Sequence, residues 1–420
     1  RSQEGLLLLT RCRSRLAALT EPLPQHSRER RHWLLLASRD LPQCFLYRVD
    51  QKRQQLEQQD CQVRIVMRDE LKTGLWTEAL LWADAVIVCR LPATNQVLRA
   101  IDAANQAGLP TWYDMDDLVI DPEHGTPDLD TYGGTISPEL HRGLQLDVPL
   151  FATAMRACRY VLVSTSTLAR RWQLLNPGQP IEVLANLAPS SLRSSLSPPR
   201  RMRRCPRLVV ASGTKAHKQV WIEELAPALD QLLERHPLLK VDLVGHIQMP
   251  VVLRRHANRV CCYPFSDYNA YLKRLKQADI GLVVLEPGLY TDAKSAIRWM
   301  EFSYLGLASV LSPTGTYTEI LKDGIHARFA RGTEEWVARV EDLLLHPNET
   351  RAMARRAQRR AKELFGPHRA KHFWQSLIDS ETKSRALTPK QPWLAAWCSK
   401  LVSPTLKQKR RKLLVLNVFF

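Results

Sequence analysis

Two series of short apolar runs, alternating with longer stretches of helical period and split by one Ser/Pro/Arg segment, constrain this chain more than any other feature. In the first series His32 to Ser38, Cys61 to Met67, Asp84 to Arg90, Pro110 to Asp114, Arg159 to Ser164 and Pro180 to Leu184 read as strands. Helical segments lie between them, such as the one carrying Leu168, Trp172 and Leu175 after the Ser-Thr-Ser cap signal at 164–166. Strands separated by helices predict right-handed crossovers and a parallel sheet covered on both faces. Residues 188–206, APSSLRSSLSPPRRMRRCP, lack apolar periodicity and read as a linker. The second series has strand-like runs at Arg207 to Ala211, Leu239 to Gly245, Arg259 to Tyr263, Asp279 to Leu285 and Leu307 to Ser312, and a helix over 220–235 with Trp221, Leu225, Leu229 and Leu232 on one face. The fold class is α/β: two Rossmann-like domains, 31–187 and 207–365, facing across a cleft where ligands meet the carboxyl ends of strands. Helices follow from Thr333 to Leu364 and from Pro367 to Ser380, the latter with an apolar stripe of Phe373, Trp374 and Leu377 that is expected to pack against a domain.

Charge narrows the partners. The 420 residues carry a net +18, but residues 1–31, 198–207, 351–372 and 381–420 together hold +24, leaving −6 for the rest. A nucleic-acid reader carries its charge on a folded recognition face, so no nucleic-acid partner is expected. An anionic substrate or membrane surface fits better. The basic N-terminal segment 1–30 and the tail 381–420 flank the domains, and the tail ends KQKRRKLLVLNVFF. That ending suits either peripheral contact with an anionic bilayer, at roughly 1 kcal/mol per basic residue near the surface, or a solubilising role. No run of about 18 uncharged apolar residues occurs, which argues against a spanning helix. Nine cysteines without C-x-x-C spacing support neither a disulfide framework nor a zinc site, and the expected setting is cytoplasmic, peripheral at the inner face of the plasma membrane if the tail binds lipid. Cys61, Cys89, Cys261 and Cys262 lie in apolar runs and are expected in the core. The chain begins with Arg1, so a removed targeting segment before it stays open.

The chemistry concentrates in two segments. In YTDAKSAIRWMEFSYLGLASVLSP, residues 290–313, Lys294 and Ser295 fall at an expected helix start, where backbone N–H groups favour phosphate. Glu301 follows six residues on, about 9 Å along the axis, within reach of a ribose; a surface pair with Arg298 is the alternative. In VVASGTKAHKQVW, residues 209–221, a strand runs into a turn holding Gly213, Thr214, Lys215, His217 and Lys218; the glycine admits close backbone approach and the lysines can meet phosphate oxygens.

These segments resemble the donor domain of a GT-B glycosyltransferase of the group 1 type (family four), over about 207–365, with weaker similarity over 31–190. SGTKAHKQ is similar to the glycine-and-lysine turn after the first donor-domain strand, and the stretch from Lys294 to Gly324 is similar to K-S-x-x-K-x-x-E-x-x-x-x-G-x-P-x-x-x-S of the sugar-nucleotide site, with Ala308 where the usual Pro follows the helix glycine. PTWYDMDDLVIDP resembles the Y-D-x-D-D strand end of a bacterial subgroup, and EVLANL the strand ending in Asn, here Asn186, before the linker. The resemblance implies a first, acceptor domain, a second, donor domain, and a final helix over 366–380 returning across the cleft. It implies transfer of a sugar from a nucleotide-diphosphate sugar to an acceptor hydroxyl, with retention, without a metal or other cofactor, in cell-surface glycan or glycolipid synthesis. Lys215, Lys218 and the 294–295 turn would then stabilise the departing diphosphate, whose oxygen takes the acceptor proton. Gly213, Thr214, Lys294, Ser295 and Glu301 are the donor-binding set.

Two departures stand out. The family's first glutamate, eight positions before Glu301, is Ala293, with Asp292 beside it as a substitute, and the Arg usual in the donor-domain turn gives way to Lys215 and Lys218. Asp114, Asp116 and Asp117 end a strand on the cleft side; they suit acceptor binding, loop structuring, general-base work by Asp114 or Asp116, or a divalent ion, with no metal expected. Asp117, Glu123 and His124 are assigned to the acceptor side. The function of a different class that fits the charge and Ala293 is nonenzymatic binding of nucleotide sugars or polyanions.

Overall fold

The computed structural model describes residues 31–39, 41–73, 75–213 and 216–385; both basic termini, and with them the proposed lipid-binding tail, lie outside the described residues. The first sheet holds β1 (His32–Ala37), β2 (Gln62–Met67), β3 (Ala85–Cys89), β4 (Thr111–Met115), β5 (Tyr160–Val163) and β6 (Ile181–Val183), in the order β2-β1-β3-β4-β5-β6. The second holds β7 (Arg207–Ser212), β8 (Lys240–Gly245), β9 (Val260–Tyr263), β10 (Ile280–Val283), β11 (Ala308–Leu311) and β12 (Arg328–Phe329), in the order β12-β11-β10-β7-β8-β9. Each neighbouring pair is parallel. Helices cover both faces, so central strands are buried on alternate sides alike; β3 and β4 are buried at every residue. All eleven strand-like runs of the sequence are strands, and the two-residue β12 is added at one edge. Strand order reverses between β1 and β3 and between β7 and β10, and crevices for ligands open at such switch points.

Packing explains local choices. Gly281 in β10 lies under Phe302, where a Cβ would come within 2.3 Å of the ring. Cys89 is buried, whereas Cys261 and Cys262 are exposed, against the expectation of core packing; they sit on β9, an edge strand with one neighbour. The 188–206 segment is not a free tether. It forms a short helix, Ser190–Ser194, and Ser197 N–H donates to the Tyr304 carbonyl at 3.0 Å.

Three helices end the described chain: Gly332–Leu345, Pro347–Phe365 and Pro367–Arg385. The last crosses back to the first domain. Trp374 is fully buried, edge-on to Trp33 at 5.7 Å between ring centroids, and its Nε1 donates to Gln55 Oε1 at 2.9 Å. A tryptophan removed from water in this way contributes about 4 to 6 kcal/mol as an upper bound, which ties the chain's end to its beginning.

Candidate active site

The carboxyl end of β7 leads through Gly213 to Ala216, His217 and Lys218, where the next helix opens; Thr214 and Lys215 lie outside the described residues. Gly213 keeps open space above it except for Arg298 Nη2, 3.6 Å from where a Cβ would stand. Lys218 is buried, and its Nζ donates to Ser212 Oγ at 3.1 Å and to the His246 carbonyl. Burial pushes this ammonium down to about 8. The first domain closes over it: Gly133 has φ +52°, and a Cβ there would fall 2.7 Å from Lys218 Cβ. His217 takes the left-handed φ of +64° and accepts the Glu286 N–H on Nδ1 at 3.3 Å. Burial, then the charges of Lys294 and Lys218, push its imidazole down to about 3, so it is neutral at pH 7.

Lys218 and Lys294, on the loops after the neighbouring strands β7 and β10, both bear electrostatically on His217. The helix carrying Glu301 begins at Ile297, not at 294–295; the Lys294 N–H closes a turn onto the Thr291 carbonyl at 3.1 Å. Lys294 thus presents its side chain, not its amide, to the crevice. Its Nζ stands 4.7 Å from the Tyr290 ring centroid and 3.9 Å from Asp117 Oδ1 across the domain boundary. Burial works against its charge, but Tyr290, Asp117 and Asp116 outweigh that and hold its pKa above the ordinary lysine value. Ser295 is also an interdomain link: its Oγ accepts from Asn186 Nδ2 at 2.9 Å and donates to Ser164 Oγ at 3.1 Å, so the hydroxyl is already committed.

Glu301 is buried rather than exposed. Its carboxylate accepts from Arg298 Nη1 at 2.6 Å, Tyr271 Oη at 2.9 Å and Tyr47 Oη at 3.3 Å, the last from the first domain. Burial pushes its pKa up, partly offset by Arg298 and the tyrosine hydroxyls. Ala293 is fully buried in a cluster made chiefly of first-domain core residues, and its carbonyl accepts from Thr165 Oγ1 at 3.0 Å. A glutamate there would be an unpaired charge in an apolar contact. Asp292 does not replace it, because its Oδ1 accepts the Gly315 N–H at 2.6 Å at the start of the Gly315–Ile320 helix.

The three aspartates after β4 part company. Asp114 is no open cleft group: it is fully buried, paired with Arg48 and with Lys52 Nζ at 2.6 Å. Arg48 also donates to Asn186 Oδ1 at 2.9 Å, extending a chain of bonds from Asp114 to Ser295. Asp116 and Asp117 share Arg90 Nη1, at 3.1 and 2.7 Å. Burial and the Asp117 charge push Asp116 up. Burial also pushes Asp117 up, but Lys294 and Arg90 prevail and hold it below the usual carboxylate range. Oxygens of these two carboxylates and Cys44 Sγ lie within 4.8 Å of one another, a spacing that a cation would accept, but Arg90 already supplies a positive charge there. Glu123 and His124 cluster instead with Asp121 and Arg171 inside the first domain; His124 Nδ1 is 3.3 Å from Asp121 Oδ2, and Arg171 Nη2 is 3.2 Å from Glu123 Oε2.

Sequence reasoning passed over Arg90, Tyr47, Tyr271 and Tyr290, which reach the crevice from four separated stretches and form no motif. Arg298 was legible as the basic position of the K-S-x-x-K-x-x-E pattern, yet its place beside Gly213 required the fold.

Residues 223–379 match the family described as glycosyl transferase-like. The matched stretch takes in most of the second domain and the helices that follow it. No curated protein matches the sequence. Among solved structures, HepE of Anabaena in complex with UDP and glucose superposes with a TM-score of 0.54 at 14% identity, covering 83% of this chain and 100% of that one. A glycosyltransferase from Rickettsia africae gives 0.57 at 12% identity, over 84% and 98%. Sucrose-phosphate synthase of Thermosynechococcus elongatus gives 0.59 at 11%, over 84% and 100%. At these identities the likeness speaks for the fold alone: two Rossmann-like domains arranged as in GT-B glycosyltransferases.

Proposed function

We propose that this protein transfers a sugar from a nucleotide-diphosphate sugar to an acceptor hydroxyl, with retention and without a metal. The observation that carries the reading is the placing of Lys218 and Lys294 after the adjacent strands β7 and β10, each against the first domain: Gly133 lies on Lys218, and Lys294 Nζ is 3.9 Å from Asp117 Oδ1. Bond breaking leaves a diphosphate whose growing negative charge the two ammonium groups neutralise, beside the Gly133 loop that packs on Lys218. Thr214 and Lys215, which precede His217 in the sequence, belong with that donor set. Arg298 and Glu301 sit where the nucleoside would extend along the helix, and ribose hydroxyls would exchange with the tyrosine hydroxyls now on Glu301. A diphosphate oxygen takes the acceptor's proton, so no side-chain base is required. Asp116, Asp117 and Arg90, on the first domain, form the acceptor-facing wall, while Asp114 holds that wall in place from the core.

HepE, solved with UDP and glucose, supports a nucleotide-sugar donor by likeness of fold. Acceptors in cell-surface glycan or glycolipid synthesis fit the basic surface: Arg355, Arg359 and Lys362 are exposed along one helix. No helix among the described residues is long and apolar enough to cross a membrane; the reading places the protein in the cytoplasm, at the inner face of the plasma membrane if the basic tail binds lipid. The test is incubation of the purified protein with UDP-, GDP- and ADP-sugars, following release of nucleoside diphosphate with and without candidate glycan or lipid-linked acceptors. Turnover abolished in Lys218→Ala with the fold retained supports the reading. Tight donor binding with no turnover on any acceptor would favour the nonenzymatic alternative, to which the alanine at 293 lends its one specific argument.

A further inference from the structure

His217 is more than nine-tenths buried, yet its Nε2 has no hydrogen-bond partner among the described residues. The other ring nitrogen is committed, since Nδ1 accepts from the Glu286 N–H at 3.3 Å. A neutral imidazole that accepts on Nδ1 carries its proton on Nε2. The side chain is therefore a buried N–H donor without an acceptor. Buried donors of this sort are rare, because a lost water is not repaid. The backbone is strained to put it there, with φ +64° at a non-glycine residue on the turn that follows β7. Glu286 is itself braced by the Val220 N–H at 2.9 Å, so the ring is held from behind by the loop after β10.

We propose that His217 is a binding residue for the donor: its Nε2–H donates to a phosphate oxygen of a nucleoside diphosphate held at the turn after β7. The inference rests on the donor-binding reading above and adds to it a directional, uncharged contact. Burial first, and then the charges of Lys294 and Lys218, keeps the ring neutral, so the lysines supply the charge and the imidazole supplies a neutral donor. Ammonium groups bind phosphate as point charges on flexible stems, whereas a ring fixed at one nitrogen can aim its other N–H at a single oxygen. The acceptor missing from the free protein is thus an oxygen of the ligand.

Calorimetric titration of the full chain tests this with UDP, GDP and ADP, and with the matching nucleoside of whichever binds. His217→Ala is expected to weaken diphosphate binding about tenfold to a hundredfold, or about 1.4 to 2.7 kcal/mol. His217→Asn, which tolerates left-handed backbone and keeps an N–H donor, is expected to recover part of that loss. Nucleoside affinity should stay the same in all three proteins. Equal losses for nucleoside and diphosphate would mean that His217 only holds the turn, and would overturn the assignment. Undiminished diphosphate binding in His217→Ala would overturn it as well, leaving the donor reading intact. Failure of the unaltered protein to bind any of the three diphosphates would overturn both.

Discussion

Replacing Asp114 with asparagine separates a structural from a chemical role for the aspartate that ends β4. The substitution keeps the volume and removes the charge between Arg48 and Lys52, whose side chains are both 2% exposed around a carboxylate that is 0% exposed. Removing one member of a buried ion pair costs about 3 to 5 kcal/mol, because the partner charges stay behind without compensation. Lys52 is already pushed down to about 8, first by burial and then by Arg48. Without Asp114 it would fall further and shed its proton, which limits the loss to the lower part of that range. For a domain of about 150 residues each kcal/mol moves the melting temperature by roughly 2–4 °C, so a drop of about 6 to 12 °C is expected by scanning calorimetry at pH 7. The double variant Asp114→Asn with Lys52→Met should recover part of it by replacing a buried amine that has lost its ionic partner with an apolar side chain. Melting within about 2 °C of the original protein, combined with a hundredfold loss of sugar transfer, would refute the structural role and return Asp114 to the chemistry.

Three other outcomes are expected. Because the Lys218 ammonium in the free protein titrates near 8, diphosphate affinity should be flat below that pH and fall above it, towards tenfold per pH unit; calorimetry from pH 6.5 to 9.5 would show it. The same group works oppositely on stability: between about 8 and the ordinary lysine range the unfolded chain holds more protons, so its contribution to stability rises with pH. Gly281→Ala would set a methyl group 2.3 Å from Phe302 and should cost about 1 to 3 kcal/mol, read as a lowered urea midpoint with an unchanged m-value. Sugar transfer should survive excess EDTA, since lysines carry the diphosphate charge; loss restored by Mg²⁺ or Mn²⁺ would point instead to the carboxylates of Asp116 and Asp117.

The two-domain frame was readable because buried parallel strands must be continuous apolar runs, and every such run became a strand. The ends of the helices were less readable. Lys294 looked like a helix start because the apolar period begins with Ala296 and Ile297, but the Leu289–Asp292 turn consumes its N–H, and nothing in a one-dimensional pattern distinguishes the two. The site was legible where one loop carries several functional groups, as at His217 and Lys218. It was hidden where distant segments meet: Tyr47 and Glu301 are 254 positions apart, and Arg48 and Asp114 are 66 apart. The aspartates illustrate the same limit. Three carboxylates in four residues read alike, yet alternation along β4 and the turn after it send Asp114 to a cationic core pocket and Asp117 to the crevice.

A crystal structure of the protein with its nucleoside diphosphate bears most directly on the donor site. Diphosphate oxygens about 3 Å from both Lys218 Nζ and Lys294 Nζ, in the crevice between β7 and β10, are the predicted result. A diphosphate bound outside that crevice, with the two lysines still turned to Ser212 and Tyr290, would contradict it.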